Sequence, residues 1–294
     1  MSNSRAEIRH EVGYRLSELY QGTVSGGSVT SITDSNLADS GASENDHEGA
    51  WVVMSGNNSG VSRRVVSYER GTGTLTLHAA LPSQPTPGET FELHSLVNPD
   101  DINRAINWTL RRMTYPTDIM LEIQDGTIDT ISLNPNATYG DSSVPAWFNA
   151  GRIVAIYRIG SGATSYIDEQ LEPIRWWKAR DTQWGQIGTL ITSQEFTAGD
   201  WLVIRCLAPY DEMENDDHET YAPLDWLVPG VLAELYTLMA RKAPAQDAER
   251  FDKVALREAA NFTAATLTYA PRPPRKVAQH GYPGARRGMR ESGV

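Results

Sequence analysis

The chain has 294 residues, 40% of them hydrophobic and 21% charged, and carries a formal net charge of −11. That length holds roughly two domains around a sizeable core, and that charge argues against a protein that coats DNA or rests on anionic lipid. The single cysteine, Cys206, excludes an intrachain disulfide and a thiolate metal site.

The N-terminus lacks the apolar core of a secretory signal. Charged residues interrupt every apolar stretch well short of a membrane span, so a protein made in a cytoplasm and free of the membrane is expected. Ser4 followed by Glu7 forms a capping box. Ile8, Val12, Leu16 and Leu19 recur at helical spacing, which predicts a first helix over residues 4–20, stopped by Gly22. Residues 22–96 read as a small antiparallel β module of about five strands, at 28–32, 50–54, 61–68, 74–77 and 90–93, with glycine-rich turns at 56–60 and 71–73.

A second helix is predicted within residues 97–115. Asn98 is its N-cap, Pro99 its first residue, and Asp100 and Asp101 face the positive end of its dipole. Ile102, Ala105, Ile106, Leu110 and Met113 form its apolar face, and Pro116 ends it. Residues 116–221 are again β-rich, with candidate strands at 119–123, 127–133, 153–159, 172–178, 186–192 and 201–207. Cys206 sits in the last of these as a small apolar side chain. The acidic run 211–219 reads as a solvated loop.

Residues 222–269 predict an antiparallel helix pair joined near Pro244. The first helix presents Val228, Val231, Leu232, Leu235, Leu238 and Met239, and the second Phe251, Val254, Ala255, Ala259, Phe262 and Thr266. Each helix carries one apolar stripe that must be covered. The expected fold class is therefore α+β: a discontinuous α-helical bundle of residues 1–21, 97–115 and 222–269, with two inserted antiparallel β modules. An extended C-terminal arm, residues 270–294, follows, with Pro271, Pro273 and Pro274 blocking further helix.

Signatures of catalysis are missing from the sequence. There is no His-Glu-x-x-His, no Gly-x-x-x-x-Gly-Lys and no Gly-x-Ser-x-Gly. The six histidines, His10, His47, His78, His94, His218 and His280, form no i,i+4 pair. Two acidic loops, one with Glu44, Asp46, His47 and Glu48, the other with Asp211, Glu212, Glu214, Asp216, Asp217 and Glu219, lack the ligand alternation and central glycine of a calcium loop. Neither enzymatic activity nor a cofactor nor a metal is expected. Carboxylate pairs for glycoside hydrolysis are always available among 37 acidic residues, so their presence decides nothing.

Two features suit binding. Trp176, Trp177 and Trp184 lie together in the second β-rich region, where tryptophans can stack sugars or anchor a protein interface. In residues 271–294, Arg272, Arg275, Lys276, Arg286, Arg287 and Arg290 face Glu291 alone, a local balance of +5 that leaves −16 for the rest. With its prolines and Tyr282, this segment suits an arm that orders on an acidic partner. Phosphate binding is the competing use of its cations, and a merely solubilising tail is the plainer one.

Residues 223–231, Pro-Leu-Asp-Trp-Leu-Val-Pro-Gly-Val, the helix through Arg241, the helix from Gln246 and the basic tail together resemble the adaptor (head-to-tail connector) proteins of tailed bacteriophages. Residues 98–113 are similar to that family's earlier helix. The phrases Gly49-Ala50-Trp51-Val52-Val53-Met54, Gly60-Val61-Ser62-Arg63-Arg64-Val65 and Thr74-Leu75-Thr76-Leu77 look like a β module common in phage structural proteins.

The resemblance implies a structural virion protein at the head–tail interface, forming a ring of identical subunits, commonly a dodecamer. A helical bundle would make the wall, and the arm, through Arg272, Arg275, Lys276, Tyr282, Arg286, Arg287 and Arg290, would run onto the portal. A downstream tail or nozzle protein, or fibres, would be the other partner. DNA would pass through the channel without specific binding, eased by an acidic lumen. The large second β insert departs from the smallest family members. The rival class is a carbohydrate-binding or tail-fibre-type β-rich virion protein, against which the two C-terminal helices count.

Overall fold

A computed structural model describes residues 2–124, 128–132, 138–139, 142–145, 148, 153–160, 172–173, 176–180 and 187–269. The protein is mixed α and β with antiparallel sheets. It divides into two compact units, one of Met1–Met113 with Tyr210–Tyr269 and one of Thr114–Pro209.

The first unit opens with β1 (Asn3–Ser4), α1 (Arg5–Arg15), β2 (Leu19–Thr23), β3 (Gly26–Ser28), β4 (Ser31–Thr33) and α2 (Ser35–Ala38). It continues through β5 (Trp51–Met54), β6 (Ser62–Glu69), β7 (Thr74–Leu77), β8 (Thr90–His94) and α3 (Pro99–Arg112). The second unit holds β9 (Thr114–Glu122), β10 (Ile128–Ser132), β11 (Thr138–Tyr139), β12 (Ser142–Ser143), β13 (Ile153–Ile159), β14 (Glu172–Pro173), β15 (Trp176–Arg180), β16 (Ile187–Phe196) and β17 (Trp201–Pro209). The first unit then resumes with β18 (Glu219–Thr220), α4 (Leu224–Lys242) and α5 (Ala245–Tyr269).

The capping box forms as the sequence predicts: the Glu7 amide donates to Ser4 Oγ at 3.2 Å and the Ser4 amide to the Glu7 carboxylate at 2.7 Å. The helix ends sooner than expected. It stops at Arg15, Ser17 takes a φ of 57°, and Leu19, which fits the helical spacing, instead starts a strand opposite His94. Gly22 is not a helix stop. It lies inside β2, where a Cβ would stand 2.3 Å from Phe91 Cζ and 2.5 Å from Asp34 Oδ2. Both neighbours are buried and Asp34 is held by Tyr20, so only glycine lets the strand approach them.

Seven antiparallel strands run in the order β2-β8-β5-β6-β7-β4-β3. The outermost two are halves of one run, residues 19–28. At the bend between them the Val24 amide donates to Glu89 and the Ser25 amide to Thr33. One continuous run thus pairs with both β8 and β4 and curls the sheet into a small barrel. Its interior is filled by Val24, Ile32, Val52, Met54, Val65, Tyr68, Leu75, Phe91 and Leu93. Four of the five expected strands fall close to their predicted positions. Residues 28–32, expected as one strand, instead run from the end of β3 through a turn at 29–30 into β4.

Asn98 caps α3 by accepting from the Asp100 amide, and the apolar face buries Ile102, Ala105, Ile106, Leu110 and Met113. Helix α4 packs along α5, α3 packs on α4, and α1 packs on both α3 and α4. The crossing point is Gly230, where a Cβ would come within 2.5 Å of Thr109 Cγ2 and 2.8 Å of Phe262 Cδ2. Helix α5 is less covered than its stripe implied: Ala255 is buried, Phe251, Val254, Phe262 and Thr266 are half-buried, and Ala259 is exposed. A helix lying mainly along one neighbour shelters only a narrow strip of itself.

In the second unit, β14-β13-β17-β9 form an antiparallel sheet, with β9 and β17 paired from Thr114 opposite Pro209 to Glu122 opposite Trp201. Its core contains Ile119, Leu121, Ile123, Ile156, Phe196, Leu202, Ile204 and Cys206. Burial, with the nearby Asp118 charge, pushes the Cys206 thiol up to about 12, so it stays protonated and acts as an apolar group. A second sheet has the order β10-β16-β15, and β11 pairs with β12. The expected insert, 116–221, is longer than this unit, because residues 210–220 pack on the first one.

Candidate functional site

A dense cluster of ionisable side chains lies inside the first unit, around Arg9. The capping box sets the start of α1 so that Arg5 and Arg9, four residues apart, share a face. Arg9 is only 2% exposed. Its two terminal nitrogens donate to the two carboxylate oxygens of Asp216 at 2.8 and 2.9 Å, and its Nε donates to Glu92 Oε2 at 2.7 Å. Arg5 donates from Nε to the same Asp216 at 3.0 Å and from Nη1 to the carbonyls of Met213 and Glu214. Planar guanidinium groups suit this fork-like pairing, and Lys would not reproduce it.

Strand β8 supplies the other side. Glu92 and His94 are two residues apart and so point to one face. Phe91 and Leu93 fill the barrel from the opposite face. His94 is fully buried. Its Nε2 shares a hydrogen bond with Glu92 Oε2 at 3.0 Å, and its Nδ1 stands 3.6 Å from Glu18 Oε1, a charge contact rather than a hydrogen bond. The other Glu18 oxygen accepts from the amides of Leu96 and Val97 at 2.6 and 2.9 Å. Three cationic groups, Arg5, Arg9 and His94, thus meet three carboxylates, Glu18, Glu92 and Asp216.

The protonation equilibria fit this balance. Burial opposes ionisation throughout, and the partners outweigh it. Glu92 is held below its ordinary value by His94 and Arg9, and Asp216 by Arg9 and Arg5. His94 is raised by the carboxylates of Glu18 and Glu92, and Arg9 by those of Asp216 and Glu92.

Asp216 and Glu92 therefore contribute stability that is present above their ordinary values of 3.8 and 4.5 and lost as pH falls through the lower folded values. The His94 contribution is complete below 6.5 and is lost as pH rises through its raised folded value. Urea denaturation followed across pH should show a plateau between these limits and a decline on each side. His94→Gln should flatten the alkaline decline, and an unchanged alkaline limb in that variant would contradict a charged His94.

A cleft of about 500 Å³ lies over the cluster, lined by Glu7, Arg9, His10 and Glu11 of α1, Ser55, Thr90 and Glu92 of the barrel, and Asp216 and Asp217. Its central charges, Arg9, Glu92 and Asp216, are engaged by one another.

None of this was singled out from the sequence. The run 211–219, expected to be solvated throughout, turns Asp216 inward to 6% exposure because two arginines await it. The other acidic loop closes on the barrel, with Glu44 accepting from the Arg70 amide and His47 edge-on to Tyr68. Trp176 and Trp177 open β15, where Trp176 lies opposite Thr192 and Trp177 opposite Ile191. Trp184 lies outside the described residues, as do Arg272, Arg275, Lys276, Tyr282, Arg286, Arg287 and Arg290 of the arm.

Among the described residues, no group of three or more His, Cys, Asp or Glu side chains is placed to hold a metal ion. No helix among them is long and apolar enough to cross a membrane. No protein-family model matches the chain, and none of the curated proteins compared with it does so.

Proposed function

We propose that the chain is the adaptor subunit of a tailed-phage head-to-tail connector, a non-enzymatic virion protein that forms a ring of identical copies between portal and tail. The observation that carries this reading is the meeting of helices from separated parts of the sequence. Helix α1, helix α3 and the α4–α5 pair pack together although the barrel and the whole second unit are inserted between them. In this reading they are one discontinuous bundle, the ring wall, and the two β parts are modules extruded from it. The acidic body faces DNA without holding it. The arm, residues 270–294, reaches the portal through Arg272, Arg275, Lys276, Arg286, Arg287 and Arg290 and buries Tyr282. The second unit, with Trp176, Trp177 and Trp184, meets the downstream tail or nozzle protein. The mutual pairing of Arg5, Arg9, Glu92 and Asp216 supports a structural role, since these groups are engaged within the chain.

The test has two parts. The chain mixed with its portal should give a ring of defined mass and a single rotational symmetry by electron microscopy. Removing residues 271–294 should leave a folded body that fails to join DNA-filled heads, giving particles without tails. A chain that stays monomeric beside the portal would refute the reading, and truncated protein that joins heads normally would remove the arm from it. Many weak copies of one arm add up in a ring, so the truncation effect should be nearly complete rather than graded.

A further inference from the structure

Residues 210–220 form a strap across the first unit, and the way it is fastened differs from the rest of that unit. Its C-terminal half pairs with the N-terminus. Asn3 lies opposite Thr220 and Ser4 opposite Glu219. The Arg5 amide donates to His218 and the Ala6 amide to Asp216. Its N-terminal half is pinned to α3, where Asn107 exchanges two hydrogen bonds with the Met213 backbone at 2.8 and 3.2 Å and Arg111 meets Glu212.

The fastening is almost wholly polar. Between residues 211 and 219 only Met213 and Asp216 are buried, and Asp216 is the point where Arg5 and Arg9 converge. The charged groups around that carboxylate are Arg5 and Arg9 of α1, with Glu92 and His94 of β8 reached through Arg9 and Glu18 behind His94. Asn103 of α3 adds a neutral contact to Arg9. By contrast, the barrel and the α4–α5 pair are held by apolar burial. A segment with few buried apolar groups can open without the core it covers.

We propose that residues 2–7, ahead of the buried Ile8, and the strap form a single clasp, pinned by Asp216, that opens as one unit while the barrel and the α4–α5 pair stay folded. Opening would separate the N-terminal segment from β18 and uncover Arg9 and Glu92 at the floor of the cleft. This does not depend on the connector reading.

Hydrogen exchange with mass spectrometry at neutral pH tests it on the full chain. In Asp216→Asn, peptides covering residues 2–7 and 211–220 should exchange faster together, by roughly tenfold or more. Those covering β5, β6 and α4 should keep the wild-type rate. Arg5→Gln, which leaves the Arg9 pairing intact, should give the same pattern with a smaller change, and decides the matter alone if Asp216→Asn does not fold. Unchanged exchange, acceleration of the strap without residues 2–7, or uniform acceleration across the whole unit would each overturn the clasp.

Discussion

Arg9→Met is expected to lower stability by about 3–5 kcal/mol, because it strips a buried cation from the buried carboxylate of Asp216 and the half-buried one of Glu92. Methionine replaces much of the volume, so the effect isolates charge and hydrogen bonding from packing. Without the guanidinium, Asp216 keeps only Arg5, and Glu92 keeps only His94. Arg5→Gln should cost less, since Arg5 is partly exposed and Arg9 alone already binds both oxygens of Asp216. Urea denaturation at neutral pH measures the difference. The triple variant Arg9→Met, Glu92→Gln, Asp216→Asn should recover part of the loss, because neutral partners no longer require a counter-charge. If Arg9→Met costs under about 1 kcal/mol, the site behaves as a surface ion pair and its burial has no energetic consequence.

The elements with strong local signals were legible in the sequence. Asn98-Pro99-Asp100-Asp101 marks the start of α3 through cap, proline and dipole together, and α3 begins there. Thr74–Leu77 is a strand with the predicted bounds. What failed did so for tertiary reasons. Leu19 fits the helical spacing of Ile8, Val12 and Leu16, but hydrogen bonds to β8 claim it for the barrel. Barrel closure was likewise hidden, since it depends on one run pairing with two partners far apart in sequence. The ionic cluster left a faint trace. Arg5 and Arg9 stand in register with Val12 and Leu16, so two cations fall on an apolar face, and Glu92 and His94 are polar partners of the apolar Phe91 and Leu93 on one strand. A local reading can flag such misfits. It cannot name Asp216 as their partner, because that pairing spans 207 positions.

Trp226→Ala is expected to cost about 3–5 kcal/mol and to loosen the end of α5 first. Trp226 is 2% exposed and stands one turn before Gly230. Its Nε1 donates to Thr266 Oγ1 at 2.9 Å, and its ring stacks on Phe262 and Tyr269 with centroids 6.4 and 6.1 Å away. Tyr210 at the head of the strap meets it edge-on. Arg112 of α3 lies over the Phe262 ring, so the same cluster joins three helices. Elsewhere along its length α5 is mostly exposed, and little would remain to hold residues 262–269 once the indole is gone. Leu256→Ala on the outer face, at 72% exposure, should stay within about 0.5 kcal/mol of wild type in the isolated chain. Urea denaturation gives both costs, and hydrogen exchange over residues 258–269 shows where the loss begins. A Trp226→Ala variant within about 1 kcal/mol of wild type, with α5 exchange unchanged, would mean that the aromatic cluster does not anchor the helix. The position also matters for the connector reading, because Tyr269 directly precedes the basic arm. Trp226 holds the end of α5, up to Tyr269, to which the proposed arm is joined in sequence. Trp226→Ala subunits that still fold should join heads less well than wild type, since an arm with a wandering origin must order more chain on contact.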